Sequence, residues 1–422
     1  MKTIFIITTL IFAVNINAQI VNIPDANFKA YLVNHPLNSN NDSEIQVSEA
    51  SVFGEQMNCA WFNISDLTGI EAFTGLTGLD CSGNQLTSLD VSQNTALYLL
   101  YCSTNQLTSV DVSQNNALIQ LACDGNLLTS LDVSQNTALY SLYCSTNQLT
   151  SLDVSQNNAL TQLVCDGNLL TSLDVSQNTA LASLDCSGNL LTSLDVSQNT
   201  ALYLLYCWTN QLTSLDVSQN TALAALDCSG NLLTSLDVSQ NTALYLLYCS
   251  TNQLTSLDVS QNTALNDFSC STNQLTSLDV SQNNALTQLD CNQNQLTSLD
   301  VSQNTALNDL SCSTNLLQCL NVKNGNNSNF WGFSAYNNTN LNCIEVDNAA
   351  WSTSNWTSVD SGASFSTNCG NSCSAGLEEL STSPKQLIKM IDLMGRETMF
   401  KANTPIINLY SDGTTERVFK FE

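Results

Sequence analysis

The sequence predicts a mainly β protein: a solenoid of about 13 coils with two short parallel strands per 21-residue coil, a small helical N-terminal cap and a small all-β C-terminal domain. Two observations carry that prediction. Cys81 is followed by a cysteine at every twenty-first position, from Cys102 and Cys123 without a slip to Cys312. A fixed period of that size marks a stack of like supersecondary units rather than a string of separate domains. Inside each unit, first Leu-x-Cys and then Leu-x-Val alternate with period two, the mark of two short strands that each turn one side inward.

One unit, Leu97 to Ala117, reads LYLLYCSTNQLTSVDVSQNNA. It holds one pattern twice, as Leu97, Leu100, Cys102, Asn105 and then Leu107, Val110, Val112, Asn115. Each Asn falls where the chain must bend, and its amide can pair the backbone groups that a bend leaves open. Stacking then places these Asn residues in ladders. The array extends past its regular part. Phe330, Phe333, Ala335 and Asn338 repeat the first half, and Leu341, Ile344 and Val346 repeat the second after one inserted residue. Upstream, Leu67, Ile70 and Ala72 form a half-turn entering the array.

The repeated motif resembles that of the leucine-rich repeat family, LxxLxLxxNxL, over about residues 67 to 348. It is most similar to the nested bacterial subtype in which both halves carry the motif. The resemblance implies a binding scaffold with an open face rather than an enzyme with a cleft.

The twelve periodic cysteines occupy an inward position between leucines. In-register parallel neighbours hold their Cβ atoms about 4.8 Å apart, too far for a relaxed disulfide. They are expected to form a dry column of free thiols. Cys319, Cys343, Cys369 and Cys373 lie beyond the column and are the candidate disulfide cysteines, with three pairings open.

Five segments follow. Residues 1–18 read as a signal peptide, with Lys2, an apolar stretch from Ile4 to Val14 and the small Ala18. Residues 19–56 form the helical cap, with a helix from Asp25; residues 57–348 form the solenoid. Residues 349–376 are a C-terminal cap and linker that includes Trp351 and Trp356, an apolar lid on the last turn. Residues 377–422 carry six of the nine basic residues, a shift that marks a separate module of short strands around Gly turns.

Two flanking motifs suggest more. In the cap, Asn38, Asn40, Asp42, Glu44 and Glu49 resemble the calcium loop of an EF-hand, with Asn38 at the usual first Asp and Ser43 at the usual Gly. That resemblance implies a calcium site; no other cofactor is expected. In the last module, Lys389, Asp392, Gly395, Arg396, Asp412, Gly413 and Lys420 resemble the C-terminal sorting domain of the type IX secretion system. That implies passage through the type IX machinery to the outer cell surface or the medium.

Charge narrows the partners. The net charge is −27, and no Lys or Arg lies between Lys29 and Lys323. Nucleic acid and anionic membrane surfaces both demand positive charge and are poor partners for the array. No stretch after the leader is apolar and long enough to cross a bilayer. Asp90, Asp111 and their equivalents to Asp300 form one outward row. Their mutual repulsion requires an offset from flanking Ser and Thr bonds, raised pKa values or bound cations.

The two halves of the unit diverge differently. LTSLDVSQNTA hardly changes, whereas the outward positions of the first half hold Tyr98, Tyr101, Tyr140, Tyr143, Tyr203, Tyr206, Tyr245 and Tyr248, with Trp208 in a Ser position. Paired tyrosines on an open sheet are the amphipathic surface that protein partners use. With a single His and no nucleophile motif, phosphate loop or metal-ligand cluster, the chain does not read as an enzyme. The expected function is an exported cell-surface or secreted scaffold for protein binding or adhesion. The alternative is an acidic spacer or surface-coat component without a specific ligand.

Overall fold

The computed structural model describes residues 19–370 and 373 and the strands Leu387–Ile391, Ile406–Tyr410 and Thr415–Val418; the expected signal peptide lies outside the described residues. Two compact units divide at Cys373/Ser374.

In the first unit, three-residue strands at the Leu-x-Cys positions pair in parallel, each with the coil before and after. Their register steps by one repeat, as in Leu100↔Leu121 and Leu121↔Leu142. The resulting 14-stranded sheet begins at Gln56–Asn58 and ends at Gly332–Ser334. A last strand, Ser364–Ser366, extends the opposite side, so the solenoid has about 15 turns. The two turns beyond the expected 13 were concealed by irregular spacing. Met57 and Cys59 stand 22 residues before Leu79 and Cys81 and belong to the same column. Phe365 packs beside Ile344 on the far end.

The core is one continuous stripe. In the regular coils the two Leu (Phe268 in one), the Cys, the third Leu and the Leu-x-Val pair (Val110 in one) are buried, save the partly buried Leu89, and the Asn residues are buried with them. No coil could hold this core by itself, because each one's apolar side chains are covered by its neighbours. Phe28 and Leu32 of the helix Ala26–Val33 close the N-terminal end. That helix starts at Asp25, whose carboxylate accepts the N–H groups of Asn27 and Phe28. At the other end Trp356 is 6 % exposed and stacks on Phe333 with ring centroids 4.0 Å apart.

The second side of the coil is less regular than the first. A continuous parallel sheet forms only through Ser298–Asp300, Cys319–Asn321, Cys343–Glu345 and Ser364–Ser366. Elsewhere contact reduces to single bridges, Asp90↔Asp111 and Asp132↔Asp153. The regular coils set Asp beside Asp, and the two isolated bridges join such pairs. In the closed sheet Asn321 and Ser366 alternate with Asp300 and Glu345.

The second unit's described strands form an antiparallel sheet, with Ile406–Tyr410 in the middle. Lys389 lies on its first strand and is exposed. Asp392, Gly395, Arg396, Asp412, Gly413 and Lys420 lie outside the described residues.

Candidate functional site

The outward surface of the 14-stranded sheet is built from four columns around each buried Leu-Cys pair. Strand residues one and three positions before the Cys point out, because the residue between them points in. The positions four before and one after the Cys flank them. Tyr98, Tyr140, Tyr203 and Tyr245 occupy the first flanking column; Tyr101, Tyr143, Tyr206 and Tyr248 end their strands. Tyr140, Tyr203 and Tyr245 are exposed at 57, 51 and 42 %, and Trp208 at 42 %. The other five tyrosines are half-buried.

The tyrosines do not make one unbroken stripe. They gather in two groups, coils 98–143 and coils 203–248, separated by coils with Thr161, Val164, Ala182 and Asp185 at the same positions. In the first group the half-buried hydroxyls are engaged. Tyr101 donates to Gln120 at 2.5 Å, Tyr143 donates to Gln162 at 2.7 Å, and Tyr98 accepts from Gln56 at 2.6 Å. In the second group Tyr248 donates to Asp267 at 2.5 Å. Burial and that bond to a carboxylate push the Tyr248 hydroxyl's pKa well up. Among the described residues no side-chain partner is recorded for the hydroxyls of Tyr140, Tyr203, Tyr206 or Tyr245.

Carboxylates share this surface. Asp185 and Asp227 are half-buried beside Tyr206, with registers Asp185↔Tyr206 and Tyr206↔Asp227. Burial raises the pKa of both. On the opposite half of the coil the acidic row behaves otherwise. Each Asp from Asp90 to Asp300 accepts the N–H of the Ser two residues on, at 2.8–2.9 Å, as in Asp195 with Ser197. Those bonds hold the carboxyls of Asp111, Asp174, Asp195 and Asp216 below the usual range, outweighing repulsion along the row. Of the offsets the sequence allowed, the serine bonds are present, and these carboxyls have lowered rather than raised pKa values.

The cysteine column is a structural element under this face. Thirteen cysteines, Cys59 included, are buried and unpaired. Burial raises their thiol pKa values, to about 12 at Cys59, Cys102 and Cys312, so they stay protonated and inert. The remaining four pair as Cys319–Cys373 and Cys343–Cys369, with Cα atoms 5.4 and 5.8 Å apart. They clamp the C-terminal chain to the closed second sheet.

In the cap, the five loop residues are occupied with one another. Asn38 is buried and donates to the carbonyls of Val33 and Asp42, leaving its own oxygen unpartnered. Asp42 accepts from the amides of Asn40 and Gln46, and Glu44 pairs with Lys29 at 2.7 Å. Burial opposes the charge of Glu49, but N–H donors from Gln46, Ser39 and Asn40 outweigh it and lower its pKa. Among the described residues no three acidic, His or Cys side chains converge on one point. The loop is held by hydrogen bonds among its own residues and by the Lys29–Glu44 pair, with the buried Asn38 oxygen left over. His35, the one His, accepts the Leu37 N–H and packs edge-on to Phe53.

Two outward features escape sequence reasoning. Leu127, Leu169, Leu190, Leu232 and Leu316 are exposed in one column at the bend after the sheet, where other coils carry Gln. Their signal is the second Leu of Asn-Leu-Leu, which reads as core until the register is known. Beside them runs a column of left-handed residues: Gly in five regular coils, from Gly83 to Gly230, and Thr in six, among them Thr104 and Thr146.

No family model matches the chain. A 39-residue stretch is 54 % identical to Internalin J of Listeria monocytogenes, spanning 9 % of this chain and 4 % of that protein's length. The solved functional domain of InlJ from Listeria monocytogenes, described as including a cysteine ladder, is 30 % identical. That likeness covers 96 % of this chain and 98 % of that one, with a TM-score of 0.59. The internalin InlF of the same organism shares the fold, at 24 % identity and a TM-score of 0.63 over 71 % of this chain and 89 % of that one. With its stacked Leu-x-Cys turns, its Asn ladders and a likeness that runs nearly end to end, the chain belongs to the leucine-rich repeat proteins related to the Listeria internalins.

Proposed function

We propose that this chain is an exported surface scaffold that binds a protein ligand outside the cell through the outward side of its 14-stranded sheet. The observation that carries the reading is where variation and aromatic exposure coincide. Tyr140, Tyr203, Trp208 and Tyr245 project from a sheet whose opposite half repeats LTSLDVSQNTA almost unchanged. Exposed aromatics supply rigid contact area at low entropic cost. Export is supported by the leader-like residues 1–18 and by two disulfides, which persist in oxidising compartments. The basic, strand-bearing last module supports sorting by the type IX route, with release or anchoring at the outer surface.

The test is a triple change, Tyr140→Ser, Tyr203→Ser and Tyr245→Ser, in the exported protein. Binding to cells or matrix proteins is expected to fall while the melting curve is unmoved, since these rings are outside the core. Unchanged binding would favour the spacer reading, which the near-identity of the second halves supports. Mass spectrometry of the secreted protein is expected to find a mature start at residue 19 and an end near residue 376.

A further inference from the structure

Resting on that reading, we infer that the coils from Ser183 to Tyr248 bind an arginine-bearing extended segment of the partner protein. The argument starts from one column. Register places Asp185, Tyr206, Asp227 and Tyr248 side by side in successive strands, so carboxylate and phenol alternate. Strand spacing sets neighbours about 4.8 Å apart. Both carboxylates are half-buried, and each accepts the N–H of the Ser two residues on, Ser187 and Ser229 at 3.0 Å. Among the described residues no cation pairs with them: the array has no Lys or Arg between Lys29 and Lys323, and the described ion pairs are Lys29–Glu44 and Lys323–Glu345.

Ser187 adds an independent observation. It is fully buried next to the Trp208 coil, and its hydroxyl lies near enough to Asp185 to favour that carboxylate, yet makes no hydrogen bond of acceptable geometry. On the other flank, Ala224 separates the exposed rings of Tyr203 and Tyr245. Two strand steps put those rings' backbones about 10 Å apart over a floor of small residues. A guanidinium suits this surface. It stacks on aromatic rings, pairs with carboxylates in a plane and loses little hydration doing so. An acidic or purely apolar segment would leave Asp185 and Asp227 more deeply buried and still unpaired, which is costly. The burial that already raises their pKa values is the same desolvation, which a bound cation would offset.

The experiment measures fluorescence anisotropy of a labelled peptide of alternating Gly and Arg on the full chain, against the same peptide with citrulline. The arginine peptide is expected to bind and the citrulline peptide to bind at least about tenfold more weakly. Asp185→Asn with Asp227→Asn should weaken the arginine peptide by about tenfold. The control is Asp195→Asn, Asp216→Asn and Asp237→Asn in the opposite row, which should leave it within about twofold. Equal losses from both sets would mean diffuse attraction to an acidic protein and would overturn the inference. Cell or matrix binding that needs Tyr203 and Tyr245 but ignores the Asp185 and Asp227 changes would also overturn it, while leaving the binding face intact.

Discussion

At the scale of the residue, the two Asn ladders look alike in sequence and differ in bonding. Asn189 donates to the carbonyls of Cys165, Cys186 and Ser187 and accepts the Leu170 N–H, so its amide is fully used. Asn199 donates to Val175 and Asn178 at 2.9 Å, and its oxygen has no partner; ten equivalents share that state. Leaving buried groups unpaired costs about 1–3 kcal/mol each. Asn189→Ala is therefore expected to destabilise more than Asn199→Ala, by about 1–3 kcal/mol in chemical denaturation. Equal losses would mean the unpaired oxygens are satisfied in solution. Asp227 gives a second prediction. Its folded pKa is raised by burial, so the protonated form fits the fold better. The penalty is absent below the unfolded value of about 3.9 and is complete above the folded one. Asp227→Asn should raise Tm by about a degree or two at pH 7 and change nothing at pH 3.

At the scale of the element, the bend after each strand shows what the sequence could and could not convey. Leu100, Cys102 and Asn105 were legible because their roles follow from period two and from the amide's donors and acceptors. The left-handed bend two residues past each Cys was not. Gly125 and Thr104 both read as ordinary loop residues, and only the backbone reveals that both have φ near +60°. At Gly83 a Cβ would lie 2.2 Å from the exposed Trp61 ring, which would have to move aside. At Thr146, with φ +51°, the β-branched side chain is held in strain that Gly167 one coil on avoids. A left-handed non-glycine residue costs about 1–2 kcal/mol, less the entropy that glycine adds to the unfolded chain. Thr146→Gly is expected to stabilise by about 0.5–1 kcal/mol and Gly188→Thr to destabilise by more, as read from denaturation midpoints. The tyrosine-bearing face was legible only as a list of tyrosines. Their division into two groups, and the seating of Asp185 and Asp227 around Tyr206, depend on which coils lie side by side.

At the scale of the whole molecule, stability comes from stacking, and the stack has a quantum of one repeat. Residues 181–201 span one regular unit, so their removal joins Ala180 to Leu202 and restores the motif without a seam. Every surviving coil keeps its Leu, Cys and Asn columns, and one interface is lost between like neighbours. This deletion is expected to fold, to melt within a few degrees of the parent and to protect twelve thiols from alkylation instead of the parent's thirteen. Denaturation should expose all of them, and reduction should add the four cysteines of Cys319–Cys373 and Cys343–Cys369. Removing only 191–201 sets a different problem, although it deletes fewer residues. The first half of one unit then meets the first half of the next, and Tyr203 and Tyr206 are carried to the side of the acidic row. Leu205 and Cys207 must pack where Leu194 and Val196 stood, and the left-handed bends no longer fall in one column. That variant should lose both the sharp melt and the protected thiols. If it melted as the full-unit deletion does, the register between successive coils would not be what holds this protein together.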